Sequence, residues 1–331
     1  MRSTSQPHSR ICAGSSSRTR FGQTRTTTAR HRPVTDAPTW FDEALKNQPD
    51  THTVTVEGTD IRYVSWGTVG KPGLVFVHGG AAHAEWWSFI APFFSTDWHA
   101  IALDLSGHGE SGWRTEYGHT TWAKEVMAVI ADAGFPGPPV VVGHSLGGMV
   151  TIQTASTFGD QLAGAVIVDA PVRRASPEED EGATGRAFRS PGVYPTLAEA
   201  MTHFRLIPAQ PCDNEFIVEH IARNSLRETP AGWTWKFDPR LFRGNVVPLR
   251  DQLSTAACRV ALFTGEHSAV VPPDVAEYMY DLMGRVSPVI EIPLAHHHLM
   301  LDQPLAFVAA LRTLLADWNH SIPFARAASS T

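Results

Sequence analysis

The chain has 331 residues, 43% of them hydrophobic, which is the ordinary share for a globular protein with a sizeable core. Its 27 Lys and Arg against 33 Asp and Glu leave a formal charge of −6, a balance that argues against a nucleic-acid or anionic-membrane surface. Cys12, Cys212 and Cys258 lie far apart without Cys-x-x-Cys spacing, and no apolar run reaches the ~18 residues of a membrane span, so the expectation is a reduced, cytoplasmic protein with no disulfide framework, zinc site or membrane span.

The first 33 residues hold Arg2, Arg10, Arg18, Arg20, Arg25, Arg30 and Arg32, many Ser and Thr, and no acidic residue. An organellar transit peptide has this composition, whereas a secretory signal would need an apolar centre. The simpler expectation is that 1–36 is an extension outside the fold, either disordered or added by an upstream start codon.

From residue 38 onward strand and helix signals alternate. Residues 53–56 and 61–66, about a Gly58-Thr59-Asp60 turn, alternate like an antiparallel hairpin. Continuous apolar runs follow at 74–77, 100–103, 140–142, 165–168, 260–263 and 289–292, the pattern of strands buried on both faces of a parallel sheet. Between them, Trp86, Ile90, Phe93 and Phe94 recur at helical spacing, as do Trp122, Val126, Val129 and Ile130, and Phe307, Leu311, Leu314 and Leu315. The alternation predicts right-handed crossovers and an α/β class fold with a doubly wound, mostly parallel sheet.

One interval breaks the rhythm. Between 171 and 250 there is an acidic stretch (177–185), helix-like segments at 197–206 and 215–226, and an aromatic piece, Trp233-Thr234-Trp235-Lys236-Phe237. An insertion of this length is too long for a plain loop. It predicts a mostly helical cap at 171–250, inserted after strand six, which divides the core into 37–170 and 251–320 and leaves 321–331 as a flexible tail.

The chemistry starts where the 140–142 run leads into Gly143-x-Ser145-x-Gly147 and then a helical segment at 149–157. A strand-to-helix turn this tight has room only for small residues beside the serine, and it holds the hydroxyl exposed on strained backbone. The helix N-terminus behind it favours developing negative charge. An idle serine in a glycine-rich turn would not account for both glycines at these offsets, so Ser145 is the candidate nucleophile.

Other motifs fall into order around it. Val77-His78-Gly79-Gly80 ends the third strand, Asp104-Leu105-Ser106-Gly107-His108-Gly109-Glu110-Ser111 follows the fourth, and Ala295-His296-His297-His298 precedes Asp302-Gln303-Pro304. Together with the serine turn they resemble the α/β-hydrolase superfamily over nearly all of residues 50–320. The resemblance implies an oxyanion hole built from the backbone N–H groups of Leu146 and Gly80, with Ala81 a close alternative. It also implies a late histidine as base. The family's spacing, counted back from Asp302, lands on His297, with His296 in the slot usually held by glycine. Adjacent histidines rarely aim at one ion, so no metal is expected. His78, His108 and His144 are expected to make structural hydrogen bonds.

The acid departs from the family. Ser268 in Thr264-Gly265-Glu266-His267-Ser268 stands where an Asp is usual. Two replacements are open: Asp169, which closes the sixth strand as in a minority of the family, and Glu266, which lies in the usual loop two residues early. Asp169 is the preferred reading.

The resemblance then implies a cofactor-independent serine hydrolase working through an acyl-enzyme on Ser145, with His297 as base and Asp169 as its partner. A serine at the elbow argues against epoxide hydrolases and haloalkane dehalogenases of this fold. The cap aromatics, Trp233 and Trp235 above all, suit a small hydrophobic ester or lactone. Two alternatives stand beside this reading. One is a carbon–carbon bond hydrolase of vinylogous diketones, weakened by His-Gly-Gly-Ala-Ala at 78–82; the other is a slow-turnover ligand receptor.

Overall fold

The computed structural model describes residues 37–174, 192–241 and 248–321. The expected N-terminal extension, the acidic 177–185 stretch and residues 322–331 of the expected tail lie outside the described residues.

Eight strands form one sheet. In chain order they are β1 (Asp50–Val56), β2 (Thr59–Trp66), β3 (Gly73–Val77), β4 (His99–Leu103), β5 (Val140–His144), β6 (Gly164–Val168), β9 (Arg259–Gly265) and β10 (Val289–Ile292), while β7 (Leu226–Thr229) and β8 (Gly232–Trp235) make a separate hairpin. The spatial order is β1-β2-β4-β3-β5-β6-β9-β10, with β1, β2 and β4 meeting antiparallel and every other pair parallel. The β1–β2 turn falls at Glu57 and Gly58, a position earlier than the sequence suggests. A two-residue hairpin turn of this hand needs positive φ at both centres, here +48° and +77°, and Gly58 adopts its value without steric cost.

All residues of β3, β4, β5 and β6 are buried, which requires helices on both faces. Strand alternation divides the side chains. Phe76 and Val142 point to one layer with Phe307, Leu311 and Leu314 of a long C-terminal helix, Pro304–His320. Val75, Val77 and Val141 point to the other with Trp122, Val126 and Val129 of the helix His119–Ala133. Ala165, Ile167 and Leu262 pack against the helices Leu146–Phe158 and Pro273–Leu282.

The stripe at Trp86, Ile90, Phe93 and Phe94 is not one α-helix. It is two single 3₁₀ turns, Ala84–Trp87 and Ala91–Phe94. Pro92 has no N–H to give to the preceding turn, and its ring would strike the carbonyl four residues back, so a continuous helix cannot form. The side chains still reach the core: Trp87 and Ile90 are fully buried.

Among the described residues, the segment inserted between β6 and β9 holds two helices, Leu197–Thr202 and Glu215–Asn224, then the β7–β8 hairpin, then a short helix, Arg250–Ser254. The hairpin adds strands to a stretch expected to be mostly helical. Its residues are half-buried on β8 and leave no continuous apolar run to read. The insertion docks on loops that follow strands of the sheet. Ser225 Oγ lies 2.9 Å from His83 Nε2 after β3, Gly109 N–H after β4 donates to the Lys236 carbonyl at 2.8 Å, and Gln210 Oε1 accepts the His298 N–H after β10 at 3.0 Å. Among the described residues no helix is long and apolar enough to cross a membrane.

Trp87 sits between Phe76 and Phe307, with ring centroids 4.9 Å and 6.1 Å away. Trp87→Ala therefore empties a sealed site between sheet and C-terminal helix. The expected loss is about 3–5 kcal/mol in urea unfolding, against little change for a substitution at exposed Val69.

Candidate active site

The strand β5 ends in a turn that only a particular set of residues can make. Ser145 sits at φ +54° and ψ −118°, directly before the helix Leu146–Phe158. A Cβ at Gly143 would overlap the Gly147 carbonyl and Thr151 Oγ1, and a Cβ at Gly147 would overlap the Val77 and His78 carbonyls. The Ser145 N–H is fixed to the Val168 carbonyl at 2.9 Å, and the Ser145 carbonyl accepts from Met149 at 3.1 Å. The side chain is thereby lifted away from the backbone on both sides.

His297 lies on the loop after β10, which is held from several sides. Asp302 Oδ2 accepts the His296 N–H at 2.7 Å, Gln210 accepts the His298 N–H, and the His297 carbonyl accepts His144 Nε2–H at 3.0 Å. So fixed, the buried imidazole places Nε2 3.0 Å from Ser145 Oγ and Nδ1 2.7 Å from Asp169 Oδ2. A carboxylate oxygen can only accept, so Nδ1 carries the proton and Nε2 presents its lone pair to the serine hydroxyl.

Of the two candidate acids, the structure brings Asp169 to the ring and Glu266 elsewhere. Asp169 is fully buried at the end of β6 with φ +47°, a conformation that Asp tolerates better than most residues. Its carboxylate also accepts from Gly265 N–H at 3.3 Å and from Ser268 Oγ at 2.6 Å. Glu266 is exposed, and it accepts the Leu294 N–H at 2.8 Å, tying together the loops after β9 and β10.

Backbone N–H groups of two nearby segments are left outside the local hydrogen bonding. Leu146 is the first residue of its helix, where an N–H has no intrahelical acceptor. The Gly79–Ala82 turn is closed by Ala82 N–H on the Gly79 carbonyl at 3.2 Å, which leaves the N–H groups of Gly80 and Ala81 out of the closing bond. Gly79 abuts the serine directly, since a Cβ there would lie 3.3 Å from Ser145 Cβ.

Trp233 and Trp235 lie on β8. Trp235 packs on Tyr194 and Phe204, while the Trp233 backbone pairs with Tyr194. The ring that reaches the histidine loop is Trp86, 5.4 Å from His298, while Trp87 is core. Gln210 had no signal as a site residue in the sequence, and Ser268 stood out only as the residue in the place usual for an acid; their hydrogen bonds to the His298 N–H and to Asp169 span 88 and 99 positions.

Burial controls the charge around the site. It pushes His144 and His298 well below the ordinary value of 6.5, with His297 nearby acting in the same direction. His78 is lowered too; its Nε2 accepts the Leu105 N–H at 3.1 Å and its Nδ1–H donates to the Gly79 carbonyl at 2.7 Å. One ring nitrogen each of His144, His297 and His298 falls within 4.8 Å of the others. Both His297 nitrogens are engaged, so an ion shared by the three would have to displace its contact with either Ser145 or Asp169.

A model of the alpha/beta hydrolase family matches residues 74–311. The chain belongs to this family. The alpha/beta hydrolase is 25% identical over 279 residues to the esterase Rv0045c of Mycobacterium tuberculosis, 83% of this chain and 92% of that protein. It is 28% identical over 251 residues to the pimeloyl-[acyl-carrier protein] methyl ester esterase of Edwardsiella ictaluri, covering 73% and 92%. Among solved structures, the thioesterase domain from the curacin biosynthetic pathway superposes with a TM-score of 0.67 at 22% identity, over 82% of this chain and all of that one. The M. tuberculosis esterase gives 0.66 at 22% identity, over 83% and 97%; at such identities the likeness is one of fold.

His78, His83, His108, His144 and His298 are all held below 6.5 mainly by burial. Below 6.5 the unfolded chain binds protons that the folded chain refuses, so stability rises with pH there and falls on acidification. Thermal unfolding at fixed ionic strength between pH 7.5 and 5 should show a loss steeper than the roughly 1.4 kcal/mol per pH unit of a single proton. A flat profile would mean that these rings are not held neutral.

Proposed function

We propose that this alpha/beta hydrolase cleaves a small hydrophobic carboxylic ester or lactone through an acyl-enzyme on Ser145. The observation that carries the reading is the continuous path from Ser145 Oγ through His297 to Asp169, at 3.0 Å and 2.7 Å. The names of the two relatives, an esterase and a methyl ester esterase, support the ester class.

The proposed steps use this geometry. His297 Nε2 removes the hydroxyl proton as Ser145 Oγ bonds to the substrate carbonyl carbon. The negative charge passes to the carbonyl oxygen, where the N–H groups of Leu146 and Gly80 meet it; each such donor contributes roughly 10²–10³ in rate. Asp169 holds the ring in the tautomer that accepts this proton and stabilises the imidazolium formed. His297 then gives the proton to the leaving alcohol. Water, deprotonated by the same nitrogen, attacks the acyl carbon and restores Ser145. Nucleophile, base and water suffice, so the cycle calls for no cofactor.

The insertion acts as a cap in this reading. Its contacts with the loops after β3, β4 and β10 support a position at the strand ends, where ligands bind in open α/β sheets. Trp233 and Trp235 are proposed to line the acyl pocket from the cap.

Ser145→Ala should remove nearly all turnover of p-nitrophenyl esters, on the order of 10⁶-fold, with unfolding unchanged. A phosphonate probe should label Ser145 in the parent protein and nothing in the variant. Asp169→Asn should lower kcat by roughly 10⁴-fold while Glu266→Gln stays within a few-fold. A folded Ser145→Ala variant that keeps substantial activity ends the acyl-enzyme reading.

Trp235→Ala should shift the preferred acyl chain length across a panel of esters, lactones and a ring-fission diketone. An unchanged preference removes Trp235 from the pocket, and cleavage of the diketone alone would replace the ester reading.

A further inference from the structure

The loop after β9 is where most of the family carries the acid, and here it carries Ser268. That serine is buried, and its hydroxyl has a defined direction. Ser268 Oγ accepts the N–H groups of Val270 at 3.1 Å and Val271 at 3.2 Å. A hydroxyl has two lone pairs and one proton, so with both lone pairs engaged the proton is committed elsewhere. It points to Asp169 Oδ2 at 2.6 Å, the length of a hydroxyl donating to a carboxylate.

The same oxygen, Oδ2, is the one 2.7 Å from His297 Nδ1. Among the described residues the other, Oδ1, has only the long 3.3 Å contact with Gly265 N–H. Rotation of a carboxyl group about its last bond is soft, so one long contact does not set its plane. β6 and β9 are hydrogen-bonded neighbours, which is why a residue of the β9 loop can reach an acid at the end of β6.

We propose that Ser268 is a positioning residue: its hydroxyl, anchored by two backbone N–H groups, holds Asp169 Oδ2 in line with His297 Nδ1. The position that ordinarily supplies the acid here supplies the clamp for an acid brought from the adjacent strand. This rests on the Ser145–His297–Asp169 reading above, because without that reading there is no ring orientation for Ser268 to serve.

The test uses the full chain and p-nitrophenyl esters. Ser268→Ala removes the donor to a charged acceptor and should lower kcat roughly 10–100-fold, with KM within about twofold. A loop that merely lost packing would change KM with kcat, or neither. A folded Ser268→Ala variant with parental kcat overturns the proposal, as does one in which KM rises as far as kcat falls.

Should Ser268→Ala fail to fold, the carboxylate can be moved instead. Asp169→Ala alone should lose nearly all activity. Asp169→Ala combined with Ser268→Asp puts an acid back beside His297, one bond further out than the hydroxyl was, and should exceed Asp169→Ala at least tenfold. A folded double variant no more active than Asp169→Ala overturns the proposal. Parental activity in Asp169→Ala alone would instead bring down the underlying triad reading, and this inference with it.

Discussion

The tight turn between β5 and its helix is the constraint on which the rest of the site depends. Ser145 occupies a left-handed φ that a non-glycine residue adopts only when its surroundings enforce it. Here the enforcement is steric and local: neither Gly143 nor Gly147 has space for a Cβ, because the helix and the β3 loop close on the turn from both sides. The same proximity places the first N–H of the helix and the Gly79–Ala82 turn next to the serine. The proposed nucleophile and the proposed oxyanion donors are thus brought together by one packing event.

His297 and the carboxylate beside it come from further away, and the parallel sheet brings them in. β5, β6 and β9 are consecutive in space, so the loops that follow them share one edge. Asp169 ends β6, Ser268 follows β9, and the histidine loop follows β10, the neighbour of β9. A carboxylate can move by one strand and still meet the same imidazole nitrogen, because adjacent parallel strands end only about 5 Å apart. Glu266, although nearer in sequence to the usual position, is turned to the Leu294 backbone on the exposed side.

The inserted segment is tied into this arrangement by hydrogen bonds to the loops after β3, β4 and β10. Gln210 is its most direct link to the site. Its amide accepts from His298 and donates to both oxygens of Asp302, which in turn accepts the His296 N–H. The histidine loop is therefore held between the insertion and the start of the C-terminal helices. Around it, buried and neutral His144 and His298 fill space without adding charge beside His297.

Local regularities determined much of this protein from sequence alone. Continuous apolar runs marked the buried strands β3 to β6 and β9, since a strand covered on both faces has no polar side to show; the run at 289–292 instead marked β10, an edge strand buried only at Ile292. The flanking glycines marked Ser145, because the sterics of the elbow act within five residues. His297 was legible from its spacing to Asp302, whose carboxylate binds the backbone of that same loop. Tertiary structure decided the rest. The helical stripe at 86–94 became two short turns because Pro92 overrides periodicity, and the β7–β8 hairpin went unread because half-buried strands leave a weak pattern. The choice between Asp169 and Glu266 depended on which loops the sheet sets side by side, and the direction of the Ser268 hydroxyl depended on two backbone N–H groups occupying its lone pairs. Contacts across 99 and 128 positions, those of Asp169 with Ser268 and His297, exist only once the strands between them have packed, so residue types and spacing carry no direct trace of them.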